Sequence, residues 1–380
     1  MFIDTVKTIK NKLKHIDYPL LLAILLLACF GMMMIFSSSN TLSYLSYDTT
    51  SHFFVRQLQW FLFGIVLMVI AMLVPHQLYN KLSPVLVLLS LLLLFVVLLP
   101  GIGVERNYSQ RWIAIGPLLF QPSEAVKLFM IVYFASFYSK KQHDLNQFKK
   151  GVLPPLIILG AVFLLTLQQP DLGSAALTLF ACGTIVICSG VKRRHLTMLT
   201  TVGVLGVSYF AYSSPYRLER LTSYMSPFQD PLGDGYQLIN SYVAIAEGGV
   251  VGNGLGSSVQ KLGFLPEAHT DFIMAVIVEE LGVIGLLFVI GVYVFIMLKG
   301  IQIAKKSSNG FSRLLAIGIT FQMIIQVIFN LGGASGLFPI TGIPLPLISY
   351  GGSSLIITMF SLGVLLQISA QNNLRIQRKG

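Results

Sequence analysis

Charge is scarce in this chain: only 11% of its 380 residues are charged, against about 25% in an ordinary soluble domain. With 54% of positions hydrophobic, the chain cannot maintain a soluble surface and reads as an integral membrane protein. Cysteine is almost missing. Cys29, Cys182 and Cys188 all lie inside apolar runs, where thiols serve packing and not a disulfide framework or a thiolate metal site. There is no Walker motif, zinc signature or nucleophile elbow, no low-complexity segment and no inverted repeat. The Gly252-Asn253-Gly254-Leu255-Gly256 run lacks a following Lys-Ser/Thr and a βαβ context, so it reads as flexible turns and not as a nucleotide site.

Long apolar runs are what the chain does have. Ten can be read, at 18–36, 56–74, 82–100, 121–139, 152–168, 171–189, 195–213, 271–298, 312–334 and 347–370. Each approaches or exceeds the roughly 20 residues that span a bilayer as a helix, and none alternates as a barrel strand does. The expected fold is therefore all-α and polytopic, a single transmembrane domain over 1–380 with ten transmembrane helices. The first run is too long for a signal-peptide core, and Ser37-Ser38-Ser39-Asn40 after it offers no cleavage pattern. Most connections are short. The exceptions are 101–120 and 214–270, the second a large loop between helices 7 and 8 that is long enough to fold over the bundle. Within it, residues 236–246 have helical character and end at Gly248-Gly249, which predicts a short interfacial or re-entrant helix.

Basic residues set the orientation. Nineteen of the 26 fall on one side of the predicted topology, in the amino tail, at Lys81, in the 140–150 and 192–194 loops, around 299–313 and in the carboxyl tail. That side is cytoplasmic, and so are both termini. The net charge of +11 is thus topogenic and gives no reason to invoke nucleic acid. Arg56, Arg106, Arg111, Arg217, Arg220 and Lys261 fall outside, together with most acidic residues, so any chemistry belongs to the outer face.

Several residues stand in costly places. Glu124 and Lys127 lie near the outer end of the fourth run, where a lone Lys costs about 2.5–3.5 kcal/mol at a helix centre. Their i,i+3 spacing lets them pair, either as a structural lock or as a charged cavity wall. Glu279 and Glu280 are adjacent on a helix and cannot share a face, so at most one lines a cavity with Asp271. The other needs a partner, such as Lys127 or an external Arg. Asp171 opens a helix and reads as its cap. His269 could be a base, but it reads first as a loop or hydrogen-bonding residue. Asp271 ends the polar stretch Glu267-Ala268-His269-Thr270-Asp271 just before an apolar run, and fits either a helix cap or a reacting carboxylate.

Taken together, the motifs add a resemblance. Gln121-Pro122-Ser123-Glu124-Ala125-Val126-Lys127, Gln169-Pro170-Asp171-Leu172-Gly173, Gly235-Tyr236-Gln237 and Leu265 to Phe272 stand in order along the chain. Glu279-Glu280-Leu281-Gly282, Thr341-Gly342-Ile343-Pro344-Leu345-Pro346 and Ser349-Tyr350-Gly351-Gly352-Ser353-Ser354 follow. The set resembles the shape, elongation, division and sporulation (SEDS) family over essentially the whole chain. Tyr18-Pro19, Phe36-Ser37-Ser38-Ser39 and Gln260-Lys261 look closer to its division (FtsW-like) branch than to its elongation branch.

The resemblance implies a peptidoglycan glycosyltransferase that polymerises lipid II at the outer face of the bacterial plasma membrane, at the division septum. It further implies a class B penicillin-binding protein as working partner, alongside other divisome proteins. Asp271 occupies the position of the family's essential acid and would take the proton of the acceptor hydroxyl. The leaving undecaprenyl pyrophosphate needs cations or a divalent metal, Mg or Mn, for which no site is identified. Arg56, Arg111, Arg217, Arg220 and Lys127 are the available cations, with Gln237, His269, Glu279 and Glu280 as further cavity candidates. Two other readings use the same residues: a lipid II transporter guided by intramembrane charge, and a scaffold in which the Asp271 carboxylate is dispensable. Recruitment is expected through spans, loops or short termini.

Overall fold

The computed structural model describes residues 14–106, 109–116, 118–212, 224–233 and 235–377. Each of the ten apolar runs coincides with a helix: α1 Tyr18–Tyr47, α2 His52–Leu73, α3 His76–Val97, α4 Pro122–Lys140, α5 Leu153–Gln168, α6 Leu172–Cys188 and α7 Arg193–Tyr212, then α9 Ile273–Lys306, α10 Gly310–Ala334 and α11 Gly352–Gln377. An eleventh, α8 Tyr236–Gly248, is the short helix expected inside the second long loop. Seven of these helices are long and apolar enough to cross a membrane: α1, α2, α3, α5 with the π-turn Phe148–Val152 that precedes it, α9, α10 and α11. The apolar α6 has 17 residues.

The segment 101–120 departs from the all-α expectation. It forms a three-stranded antiparallel sheet, β1 Gly103–Arg106, β2 Ser109–Ile115 and β3 Leu118–Phe120, in the order β1-β2-β3. Here β2 reads Arg111-Trp112-Ile113-Ala114-Ile115, with aromatic and β-branched residues that favour a pleat, and Gly116 turns with φ of 61°. A run this short and polar carries no span-length signal, which is why the helix count did not register it.

Burial grades the helices. In α11, 78% of the most apolar window lies inside the protein, against 22% in α2, so α11 is central and α2 peripheral. Peripheral helices turn large apolar side chains outward, among them Leu62, Phe63, Val66, Leu88, Leu92 and Phe95. An apolar surface of that extent is what lipid covers. At one end of the bundle Asn373 donates to the His15 carbonyl, and Lys299 pairs with Asp17 at 3.0 Å, so the two described ends of the chain meet there. Asp17 also accepts from the Leu20 amide and caps α1. At the other end lie the sheet, α8 and the segments that carry the candidate residues.

Candidate active site

Asp271 stands two residues before α9. Phe272 holds the cap position without a side-chain cap bond, so Asp271 lies one residue outside that position. The chain reaches Asp271 through a turn fixed by Glu267, whose φ is 56° and whose carbonyl accepts from both the Thr270 and Phe272 amides. Leu265, Ala268 and His269 are buried beneath this turn, while Asp271 is half-buried.

Asp271 borders a small recess, partly open to solvent, lined also by Phe329, Asn330, Thr341, Gly342 and Ile343. Gly342 has φ of 68°, and a Cβ there would lie 3.5 Å from Asp271 Oδ2, so the carboxylate rests over bare backbone. Asn330 bridges the two sides. Its amide nitrogen donates to the Asp271 carbonyl at 2.9 Å and to the Ile343 carbonyl at 2.8 Å. Two carbonyl acceptors fix the orientation of that amide, which leaves its buried Oδ1 without a partner. Sequence reading missed Asn330, because an Asn within an apolar span shows its role only through what it touches.

The same turn is braced by the segment before α11. Ser349 Oγ donates to the Thr270 carbonyl, the Tyr350 amide donates to the His269 carbonyl at 2.9 Å, and Gln57 of α2 brackets the segment through the Ser349 carbonyl and the Gly351 amide. Gln57 was likewise not foreseen. The His269 ring packs between Phe53 and Tyr350, at centroid distances of 4.7 and 5.5 Å. Burial holds its imidazole below the usual histidine range, with the Glu267 carboxylate opposing that shift. His269 is therefore a packed, neutral element of the turn, in line with the loop reading.

Other candidates fall into separate groups. Glu124 and Lys127 pair within α4 at 2.8 Å, both buried. Arg111 of β2 donates to the Pro170 carbonyl at 2.8 Å and lies 3.8 Å from Asp171, which caps α6 through the Ser174 amide. The cap expected of Asp171 is thus observed, with an arginine added. Gln121 joins that group through Asp171 at 3.4 Å, and its amide donates to Ser353 Oγ at the head of α11. Arg56 is exposed on α2, and Gln237 is half-buried on α8. Arg217 and Arg220 lie outside the described residues.

For Glu279 and Glu280 the expected partners were wrong. Neither pairs with Lys127 or an external Arg. Glu279 accepts from Ser258 Oγ and from the Val259 and Gln260 amides, at 2.5, 2.6 and 3.3 Å. Glu280 accepts from Ser37 Oγ and from Lys261 Nζ, each at 2.7 Å. Both carboxylates serve the loop that precedes Asp271, and Lys261 of that loop is buried against Glu280. The glycine run is corrected too. It packs against α9 at Glu279–Gly282, where a Cβ on Gly252 would collide with the Glu280 carbonyl.

No three His, Cys, Asp or Glu side chains converge as a metal-binding group among the described residues. Asp271 brings a single carboxylate and neighbouring backbone carbonyls to its recess, a donor set that does not by itself fit a resident divalent ion.

Residues 18–374 match the model of the Cell cycle protein family of FtsW, RodA and SpoVE. Stage V sporulation protein E of Bacillus subtilis (strain 168) is 39% identical, covering 93% of this chain and 96% of its own. A probable peptidoglycan glycosyltransferase FtsW from the same organism is 42% identical, with 95% of this chain and 92% of its own length covered. Among solved structures, one chain of a peptidoglycan synthase complex that coordinates polymerization and crosslinking superposes with a TM-score of 0.77 at 28% identity, covering 94% of this chain and 98% of that one. The rod shape determining protein RodA of Thermus thermophilus gives 0.70 at 26%, covering 93% and 96%. With apolar helices throughout and this match along its length, the chain is a multi-pass membrane protein of the SEDS family.

Proposed function

We propose that the protein is a peptidoglycan glycosyltransferase of the division branch, polymerising lipid II at the outer face of the plasma membrane. The observation that carries this is the Asp271 carboxylate at the edge of a recess, braced from three sides, in a chain of this family. Relatives named FtsW at about 40% identity support the division branch, and septal localisation is proposed on the same ground. Ten crossings with both termini inside belong to the same proposal, supported by the helices that coincide with the ten apolar runs and by the basic bias of one face.

In the proposed reaction the GlcNAc 4-hydroxyl of one lipid-linked sugar attacks C1 of the lipid-linked MurNAc of another. The new glycosidic O–C1 bond forms as the C1–oxygen bond to pyrophosphate breaks, and the hydroxyl proton passes to Asp271. Asp271 suits this because its backbone is anchored through Asn330 while its carboxylate stays half-open to the recess. Undecaprenyl pyrophosphate departs with the bonding pair. Arg56 and Arg111 are the described cations assigned to its charge, with Arg217 and Arg220 kept as candidates. A Mg or Mn ion enters the proposal only as a companion of the pyrophosphate, and no step is routed through it. Lys127 is neutralised by Glu124 within its own helix, which supports a structural role for that pair.

The partner proposed is a class B penicillin-binding protein within the divisome, supported by the likeness to a synthase complex. The test is polymerisation of lipid II in detergent by the protein with that partner, beside an Asp271→Asn variant. Glycan strands from the native protein and none from the variant support the reading. Full polymer from Asp271→Asn would remove the base assignment. Lipid II flipping in vesicles, with no polymer formed, would replace the enzyme with a transporter.

A further inference from the structure

Helix α9 is broken at Gly282, where φ is 67° and ψ −163°. The break forfeits the helical bonds that would run from the Val283 and Ile284 amides to the Glu279 and Glu280 carbonyls. Within a membrane span those four groups need other partners. The glycine-rich loop supplies all four. Val283 and Ile284 donate to the Gly249 and Val250 carbonyls at 3.1 and 3.3 Å, while the Asn253 and Gly254 amides donate to the Glu279 and Glu280 carbonyls at 3.0 and 2.9 Å. Only glycine fits the contact. Gly252 and Gly282 both have positive φ, and a Cβ on either would strike the opposing backbone.

A charged clamp continues the same contact. Lys261 Nζ lies 2.7 Å from Glu280 and 3.1 Å from Ser37 Oγ of α1, and the Ser258 amide reaches Glu280 at 3.4 Å. Glu279 and Glu280 are both 0% exposed. From Lys261 the chain passes through buried Leu265 and His269 to Asp271, and the first turns of α9 lead back to Glu280. Asp271 is therefore the tip of a hairpin pinned at its base by the Lys261–Glu280 pair.

We propose that Lys261 and Glu280 are positioning residues for Asp271. They set the depth and angle of the carboxylate while touching neither substrate nor reacting atoms. The reasoning is geometric: the short arms of the hairpin can hold the tip only if its base is closed, and a displaced base loses rate much faster than binding. This inference rests on the glycosyltransferase reading, so the experiment carries one readout that does not.

The variants are Lys261→Met, Lys261→Arg and the neutral pair Lys261→Met with Glu280→Gln, compared with native protein and Asp271→Asn in the lipid II assay with partner. Lys261→Met is expected to lower kcat by about tenfold or more with KM within about twofold, and Lys261→Arg to recover part of the loss. Amide hydrogen exchange over 262–272 is expected to accelerate about tenfold in Lys261→Met, with α11 unchanged. The neutral pair removes the unpaired buried charge, and is expected to regain thermal stability without regaining kcat. Recovery of stability and kcat together would reduce the clamp to a structural pair and overturn the proposal. So would native kcat in Lys261→Met, or unchanged exchange at 262–272. Failure of native protein to polymerise, with exchange responding as expected, would instead remove the glycosyltransferase reading.

Discussion

At the scale of single residues, the half-buried Asp271 and the buried His269 have opposite environments two positions apart. Replacing Asp271 by Asn keeps its size and its anchoring through the backbone carbonyl, so folding and partner binding are expected to persist. Loss of the base should reduce polymerisation by about 10²–10⁴-fold, measured as glycan chains formed per minute. His269 adds a pH dependence of a definite sign. Its folded pKa lies below the ordinary value of 6.5, through burial. Between those two values the unfolded chain takes up a proton that the folded chain refuses. The stability contributed by the neutral ring is thus complete above about pH 6.5 and is lost as pH falls toward the folded value. Thermal unfolding from about pH 7.5 to 5.5 should show a falling midpoint, and His269→Gln should flatten it. The Glu124–Lys127 pair makes a third case. Lys127→Met strands a buried carboxylate at a cost of about 3–5 kcal/mol, whereas removing both charges should restore most of that stability.

At the scale of elements, backbone fit decides more than side chains. Gly252→Ala adds a methyl where the Glu280 carbonyl already sits and where φ is positive, so the loss should exceed about 1 kcal/mol. It should also loosen α8 and the loop after it, readable as faster exchange over 236–256. Element content was largely legible in the sequence, because span-length apolar runs leave few alternatives to a helix. The length of α8 was read to within two residues from Tyr236 and the glycines that stop it. Two features were not legible. The β1–β3 sheet is too short to announce itself between two spans, and its Trp112 and Ile113 serve equally well in a loop. The break in α9 was hidden because a Gly in a long apolar run is commonly an ordinary helical residue, and only the matching donors and acceptors of a loop thirty residues earlier give it meaning. At the site, Asp271 was visible through its cost at a membrane boundary, while Asn330 and Gln57 act through backbone contacts that no spacing encodes.

At the scale of the whole molecule, the proposed ten crossings and the charge bias assign each loop to a compartment, and that assignment can be tested. With the native cysteines replaced, single cysteines at Glu105 and Asp230 should react with a membrane-impermeant reagent in intact cells. Those at Lys141 and Lys192 should react only after lysis. Labelling of Lys192→Cys from outside would overturn the topology.

The bracing of Asp271 also orders the birth of the protein. Ser349 reaches back 79 residues to hold the Thr270 carbonyl, and Gln57 waits 292 residues for the Ser349 carbonyl it binds. Asp271 therefore leaves the ribosome well before its supports do. A nascent chain arrested ahead of residue 349 carries the carboxylate proposed as the base without the frame that holds it, and on that proposal polymerisation waits until the last span is threaded into place.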